Sequence, residues 1–114
     1  MKFLPDNMQV YLAIGNTDMR KSINGLSLLV ADHFEMNVFS GHLFAFCNRR
    51  RDIIKILFWD KNGFCIWHKR LEKERFQWPK SEVEVLDIDP LQLTWLLAGL
   101  DINTAHKQLS FSEL

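Results

Sequence analysis

The sequence is poor in the features that define several common protein types. It has only two cysteines, Cys47 and Cys65, in 114 residues. Two thiols do not make a disulfide framework, so the chain reads as one held by its core, with both thiols free. Its three prolines and five glycines are scattered, which leaves no repeat, low-complexity tract or long linker. No stretch approaches the ~18 uninterrupted apolar residues of a membrane span. The opening Met1-Lys2-Phe3-Leu4-Pro5-Asp6 carries no apolar core or small-residue cleavage site, so it does not read as a secretory signal. The simplest expectation is a cytoplasmic, single-domain protein spanning 1–114, with no membrane association.

Net charge is also absent, with 14 basic and 14 acidic side chains. The balance hides an asymmetry. Residues 1–44 sum to −1, residues 45–79 to +5 and residues 80–114 to −4. A basic middle attracts phosphate through its local field. The plain alternative is that the acidic end folds back and neutralises it.

Hydrophobic residues make up 47% of the chain, enough for a packed core. Val10 to Ile14 reads as a strand ending at Gly15. Thr17 or Asp18 can cap a following helix, in which Ile23, Leu26, Val30 and Phe34 fall at helical spacing to about His33. Gly25 inside it costs roughly 1 kcal/mol against Ala, which suggests a close packing contact. A central basic meander is expected over 42–78. It has strands at His42–Cys47 and Ile53–Trp59, a turn at Asp60-Lys61-Asn62-Gly63, a return over Phe64–Leu71, and a further strand at Arg75-Phe76-Gln77-Trp78. The turn is expected to hold Gly63 in the left-handed conformation within a three-residue loop. A last helix over 89–100 is capped by Asp89, Pro90 and Gln92. Leu93, Leu96, Leu97 and Leu100 line one side of it, and Leu91, Trp95 and Ala98 the other. The fold class expected is α+β: a mostly antiparallel sheet, a meander with a central hairpin, packed against two helices.

A three-residue loop puts Ile54, Ile56, Phe58, Phe64 and Ile66 on one face of the hairpin. Lys55, Leu57, Trp59, Cys65, Trp67 and Lys69 then occupy the other. Tryptophans between lysines make a stacking platform for bases with cations for phosphates. The alternatives are a two-residue Asn62-Gly63 loop, which shifts every pair, and a helix that covers this face. Arg49-Arg50-Arg51 feeds the hairpin, and three adjacent guanidiniums cannot all be buried and paired cheaply, so bidentate phosphate contact suits them. Arg70 and Arg75 extend the basic set.

Gly15 to Ser22 superficially matches a phosphate loop, but Arg20 replaces its second glycine, which excludes a nucleotide triphosphatase. Arg20 and Lys21 at a helix start can still touch one backbone phosphate. Among metal ligands, His42 and Cys47, and Cys65 and His68, are an odd number of residues apart and point to opposite faces of a strand. No metal, cofactor or catalytic residue is therefore expected.

Several long stretches carry a family resemblance: Thr17-Asp18-Met19-Arg20-Lys21-Ser22-Ile23-Asn24-Gly25-Leu26, Phe39-Ser40-Gly41-His42-Leu43-Phe44, Phe46-Cys47-Asn48-Arg49-Arg50-Arg51-Asp52, Lys55-Ile56-Leu57-Phe58-Trp59-Asp60-Lys61-Asn62-Gly63-Phe64, and Lys69-Arg70-Leu71-Glu72 with Arg75-Phe76-Gln77-Trp78-Pro79. Together they resemble the TnpB-type accessory protein of the IS-sixty-six class of bacterial insertion sequences, over about Met8 to Leu109. The resemblance implies a part in transposition beside a larger, separately encoded transposase that carries the catalytic carboxylates. It implies no mechanism. The expected function is a non-catalytic DNA-binding accessory factor using Arg49, Arg50, Arg51, Lys55, Lys69, Arg70 and Arg75, with Trp59 and Trp67 stacking and Arg20 and Lys21 assisting. Its partners are then the transposase and the element's DNA ends, and a homo-oligomer is compatible. The alternative is an adaptor that grips the transposase through Leu91, Trp95 and Ala98. A metal-dependent nuclease built on Asp18, Asp52 or Asp60 ranks last, since nothing in their spacing brings them together.

Overall fold

Every residue of Leu43–Cys47 is apolar and buried, so this strand needs cover on both faces, and the sheet is assembled around it. The computed structural model describes residues 8–103. Its elements are β1 (Val10–Asn16), α1 (Ile23–Leu28), β2 (Leu43–Cys47), β3 (Ile53–Asp60), β4 (Gly63–Arg70), β5 (Val85–Ile88) and α2 (Pro90–Leu97). They form one five-stranded sheet in the order β4-β3-β2-β1-β5. Three of its pairings are antiparallel, and β1 runs parallel to β2. The fold is α+β with the expected central hairpin. The parallel pair departs from a simple meander: α1 is the crossover of a strand–helix–strand unit.

One side of the sheet buries Phe44, Phe46 and Leu57 against Leu26 and Val30 of the α1 segment. The other buries Leu12, Leu43, Ala45, Ile54 and Ile56 against Leu93, Leu96 and Leu97 of α2 and against Phe76 and Trp78. Residues 75–78 thus keep the alternation of a strand, with Phe76 and Trp78 buried and Arg75 and Gln77 exposed, but join no sheet. They cross its face as a strap. Phe76 N–H donates to the Arg51 carbonyl at 2.7 Å, and Trp78 Nε1 donates to the Ala13 carbonyl at 2.9 Å. The strap leads into β5, an edge strand of four residues in the stretch where no element had been expected.

Helix boundaries follow local chemistry. α1 begins after Ser22, not at Thr17 or Asp18. The Thr17 N–H is taken by the Cys47 carbonyl, and the Asp18 carboxylate by the Arg20 N–H. α1 continues as a π-helical turn, Leu29–His33, in which Phe34 N–H reaches the Leu29 carbonyl, and Glu35 at φ 55° ends it. The nearest atoms a Cβ at Gly25 would meet belong to the Lys21 stem, at 3.2 Å, a neighbour in the chain and not a second element. α2 has the expected capping box, with Gln92 N–H on the Asp89 carboxylate and Asp89 N–H on the Gln92 side chain. It stops at Leu97, two residues before Gly99 at φ 86°.

The hairpin register differs from the expected one. Asp60 pairs with Gly63 and Trp59 with Phe64, leaving the two-residue loop Lys61-Asn62. The left-handed residue is Lys61, at φ 50°, rather than Gly63. The change of one residue moves β4 to the opposite parity. Ile54, Ile56, Phe58, Cys65, Trp67 and Lys69 now share the α2 face, while Lys55, Leu57, Trp59, Phe64 and Ile66 share the α1 face. Both faces carry large apolar groups, so hydrophobicity alone did not distinguish the registers.

No helix among the described residues is long and apolar enough to cross a membrane. Residues 104–114, including His106 and Lys107 of the family resemblance, lie outside the described residues.

Trp78→Phe retains the ring but leaves the Ala13 carbonyl without its buried donor. It is expected to lower unfolding stability by about 1–3 kcal/mol, read as a lower urea midpoint at unchanged slope.

Candidate nucleic-acid interface

With both faces covered, exposed cations collect where the strands end. Asn16 pairs with Cys47, Ile53 with Arg70, and Phe76 N–H bonds the Arg51 carbonyl. These contacts bring three segments, 17–22, 48–52 and 70–76, to one end of the sheet. They carry Arg20, Lys21, Arg49, Arg50, Arg51, Arg70, Lys73 and Arg75 against Asp18, Asp52, Glu72 and Glu74, and Glu84, whose carbonyl accepts from Ile14 N–H, reaches the same end, for a local net charge of +3. Their separation along the chain is large, so only Arg49–Arg51 stood out as a local cluster.

The loop 48–52 is organised by Asn48. Its side-chain oxygen accepts from Asp52 N–H at 3.1 Å and Ile53 N–H at 3.0 Å, and its amide donates to the Asp52 carboxylate at 2.6 Å. The Asn48 bond, then the nearby charges of Arg50 and Arg75, hold the Asp52 carboxyl below its usual range. The three arginines of the loop then diverge. Arg49 and Arg50 are exposed, and Arg50 is 3.9 Å from Asp52. Arg51, half-buried at φ 61°, turns inward and donates to the carbonyls of Asn48 and Ile14. It also lies beside the Cys47 thiol, which burial pushes up to about 11 despite that cation.

Three arginines are each paired with a carboxylate two residues away. Arg20 chelates Asp18, with a shortest contact of 2.6 Å, and this hydrogen bonding draws the Asp18 carboxyl down to about 2. Arg70 contacts Glu72 at 3.1 Å, and Arg50 faces Asp52. Exposed pairs of this kind are worth little and are screened by salt, so their guanidiniums can exchange a carboxylate for a phosphate. Arg75 is exposed and donates to the Glu74 carbonyl.

The proposed stacking platform does not form. Trp59 and Trp67 lie on opposite faces, as do Lys55 and Lys69. Lys55 Nζ donates to the Met19 and Lys21 carbonyls at 2.7 and 3.2 Å, tying the loop before α1 to the sheet. Lys69 Nζ donates to the Leu97 carbonyl at 2.9 Å, where a cation complements the C-terminal end of α2. Trp59 instead joins Phe39 and Phe64 in a cluster with ring centroids 5.0–5.5 Å apart, and Phe39 is 59% exposed. Trp67 is half-buried against the α2-side core.

On α2, Trp95 packs against that core, while Leu91, Ala98 and the nearby Leu100 are exposed. Asp18 and Asp52 lie at the basic end and Asp60 at the far hairpin turn. Among the described residues no three His, Cys, Asp or Glu side chains are grouped to hold a metal ion.

The family model described as "IS66 Orf2 like protein" matches residues 8–107. The protein y4hO of Sinorhizobium fredii (strain NBRC 101917 / NGR234), named as uncharacterized, is 39% identical over 95 residues, covering 83% of each chain. A second protein of that strain, y4jC, also named as uncharacterized, is 30% identical over 94 residues, covering 82% of this chain and 80% of its own. No solved structure matches the chain.

The loop arginines are expected to separate on mutation. Arg51→Ala removes two carbonyl contacts at a left-handed position and should cost about 1–2 kcal/mol of stability. Arg49→Ala and Arg50→Ala should stay within about 0.5 kcal/mol, all by urea denaturation.

Proposed function

The chain belongs to the IS66 Orf2-like family of transposition-associated accessory proteins, and from that premise we propose that it binds DNA without cutting it, through the arginine-rich end of its sheet. The observation that carries this reading is the convergence of exposed Arg20, Arg49, Arg50, Arg70 and Arg75 from three separate segments at one end of a sheet whose faces are both occupied. Guanidiniums there contact backbone phosphates bidentately, with Lys21 and Lys73 adding charge. Lys55 and Lys69 support this end from within by anchoring the loop before α1 and the end of α2. Phosphate contacts position a protein on DNA without specifying sequence, so recognition of the element's ends falls to few base contacts or to the transposase as partner. The cytoplasm, where the element's DNA lies, is the corresponding location.

The adaptor reading has one observation of its own. Leu91 and Leu100 are 55% and 46% exposed, beside exposed Ala98, on the outer side of the α2 region. In that reading these residues grip the transposase while Trp95, packed on the core, holds α2 in place. Leu91→Glu should then abolish co-purification with the transposase at unchanged folding stability. Retained co-purification overturns it.

For DNA binding, fluorescence anisotropy at low salt, with a duplex carrying the element's terminal repeats and a shuffled duplex, is the direct measurement. Replacing Arg49, Arg50 and Arg75 together by Ala should weaken binding to both at least about tenfold and reduce the slope of log affinity against log salt by about 2–3. Unchanged affinity and slope would remove this end of the sheet from the DNA contact.

A further inference from the structure

Among the described residues the sheet has one long open edge. β4 lies at its border and pairs with β3 over eight residues without a bulge or proline. Leu71 N–H donates to the Asp52 carbonyl at 2.8 Å, which extends the ladder by one hydrogen-bonded pair. In an antiparallel ladder such pairs alternate, so Cys65, Trp67 and Lys69 bond β3, while the N–H and C=O groups of Phe64, Ile66, His68 and Arg70 face outward. None of these four residues makes a main-chain bond to another element among the described residues. Natural sheets usually blunt such an edge; β4 carries Lys69 and Arg70 near its end, but among the described residues it has no bulge, proline or covering element.

We propose that this edge pairs antiparallel with β4 of a second copy of the chain, joining two five-stranded sheets into one of ten. The occupant follows from the layout of β4 itself. Its first half is apolar and meets the Phe39, Trp59 and Phe64 rings, and its second half is basic, His68, Lys69 and Arg70. A two-fold axis at Trp67 lays one half on the other. Ile66 then faces His68 of the second copy, and Phe64 faces Arg70 of the second copy, a cation against an aromatic cluster. On the α2 face, half-buried Trp67 meets its own symmetry mate in the closer, non-hydrogen-bonded type of pair. Parallel pairing sets like on like, with Arg70 beside Arg70. The two-fold arrangement forms about eight main-chain hydrogen bonds, two for each outward pair. It takes Arg70 from each basic end but leaves Arg20, Arg49, Arg50 and Arg75 free, on ends that point in opposite directions, and it does not depend on the DNA reading.

The parity of β4 supplies a selective test. A proline at position 68 removes an outward donor and leaves the β3 ladder intact, as edge strands tolerate. Sedimentation equilibrium of the full chain should show a dimer, and His68→Pro should raise its dissociation constant at least about tenfold, while the monomer keeps its native circular dichroism. Amide exchange gives a second measurement that needs no variant. The N–H groups of Phe64, Ile66, His68 and Arg70 should gain protection as protein concentration rises, while those of Cys65, Trp67 and Lys69 are protected at every concentration. A chain that stays monomeric, or outward amides that stay unprotected at all concentrations, overturns the proposal. So does a dimer that His68→Pro leaves unchanged. The triple arginine variant should dimerise as before, so failure of the DNA reading and failure of this one are distinguishable.

Discussion

A strand with no exposed side chain must be covered on both faces, and β2 is such a strand. The rest of the architecture follows from that demand. α1 closes one face, and α2 with the 75–78 strap closes the other. Burying both sides of a small sheet leaves little surface on which polar chemistry can sit. Charged groups either leave the faces for the ends of the strands or keep only their stems on the faces and carry their ammonium groups to the rim. Lys55 and Lys69 do the latter, on opposite faces, and each ends on main-chain carbonyls beside a helix. They join the covering layers to the sheet.

The arginines do the former. Arg20 follows β1, Arg49 and Arg50 follow β2, and Arg70 ends β4 with Arg75 after it, so their common location is a property of strand direction and not of sequence neighbourhood. Their carboxylate partners, Asp18, Asp52 and Glu72, lie within two residues. Such local pairs keep the end soluble and weakly self-neutralised in the free protein, and they can be exchanged for phosphate at small cost. Arg51 shows how one residue's backbone changes its role. A left-handed turn directs it to the Ile14 carbonyl, so the middle of the chain contributes two exposed loop guanidiniums and one internal brace.

Both helices, the central hairpin and the capping box at Asp89 were legible because each is written in local spacing or local chemistry. The strand over Leu43–Cys47 and the capped start of the helix Pro90–Leu97 needed no tertiary information, whereas that helix ends three residues before the expected Leu100. The strap at 75–78 was legible as alternation but not as a partnerless segment, since alternating burial arises equally from pairing in a sheet and from lying across one. β5 was missed because Val85–Ile88 is short and is defined only by its pairing with β1. The parallel contact of β1 with β2 was missed for a related reason: it joins residues more than 30 positions apart, such as Val10 with Leu43 and Asn16 with Cys47, and nothing in either strand's own pattern records it.

By itself the sequence determined the α+β class, the basic middle, the family and the run of adjacent arginines Arg49–Arg51, because composition, motif and adjacency are properties of the chain alone. Only the tertiary structure decided the hairpin register, and with it which tryptophan and which lysine share a face. Side chains in a strand alternate with period two, so one residue of loop length reverses every assignment, and two apolar faces offered no bias between the choices. The folded structure also gathered the exposed arginines at an end of the sheet instead of on a face, since covering β2 on both sides left no face open.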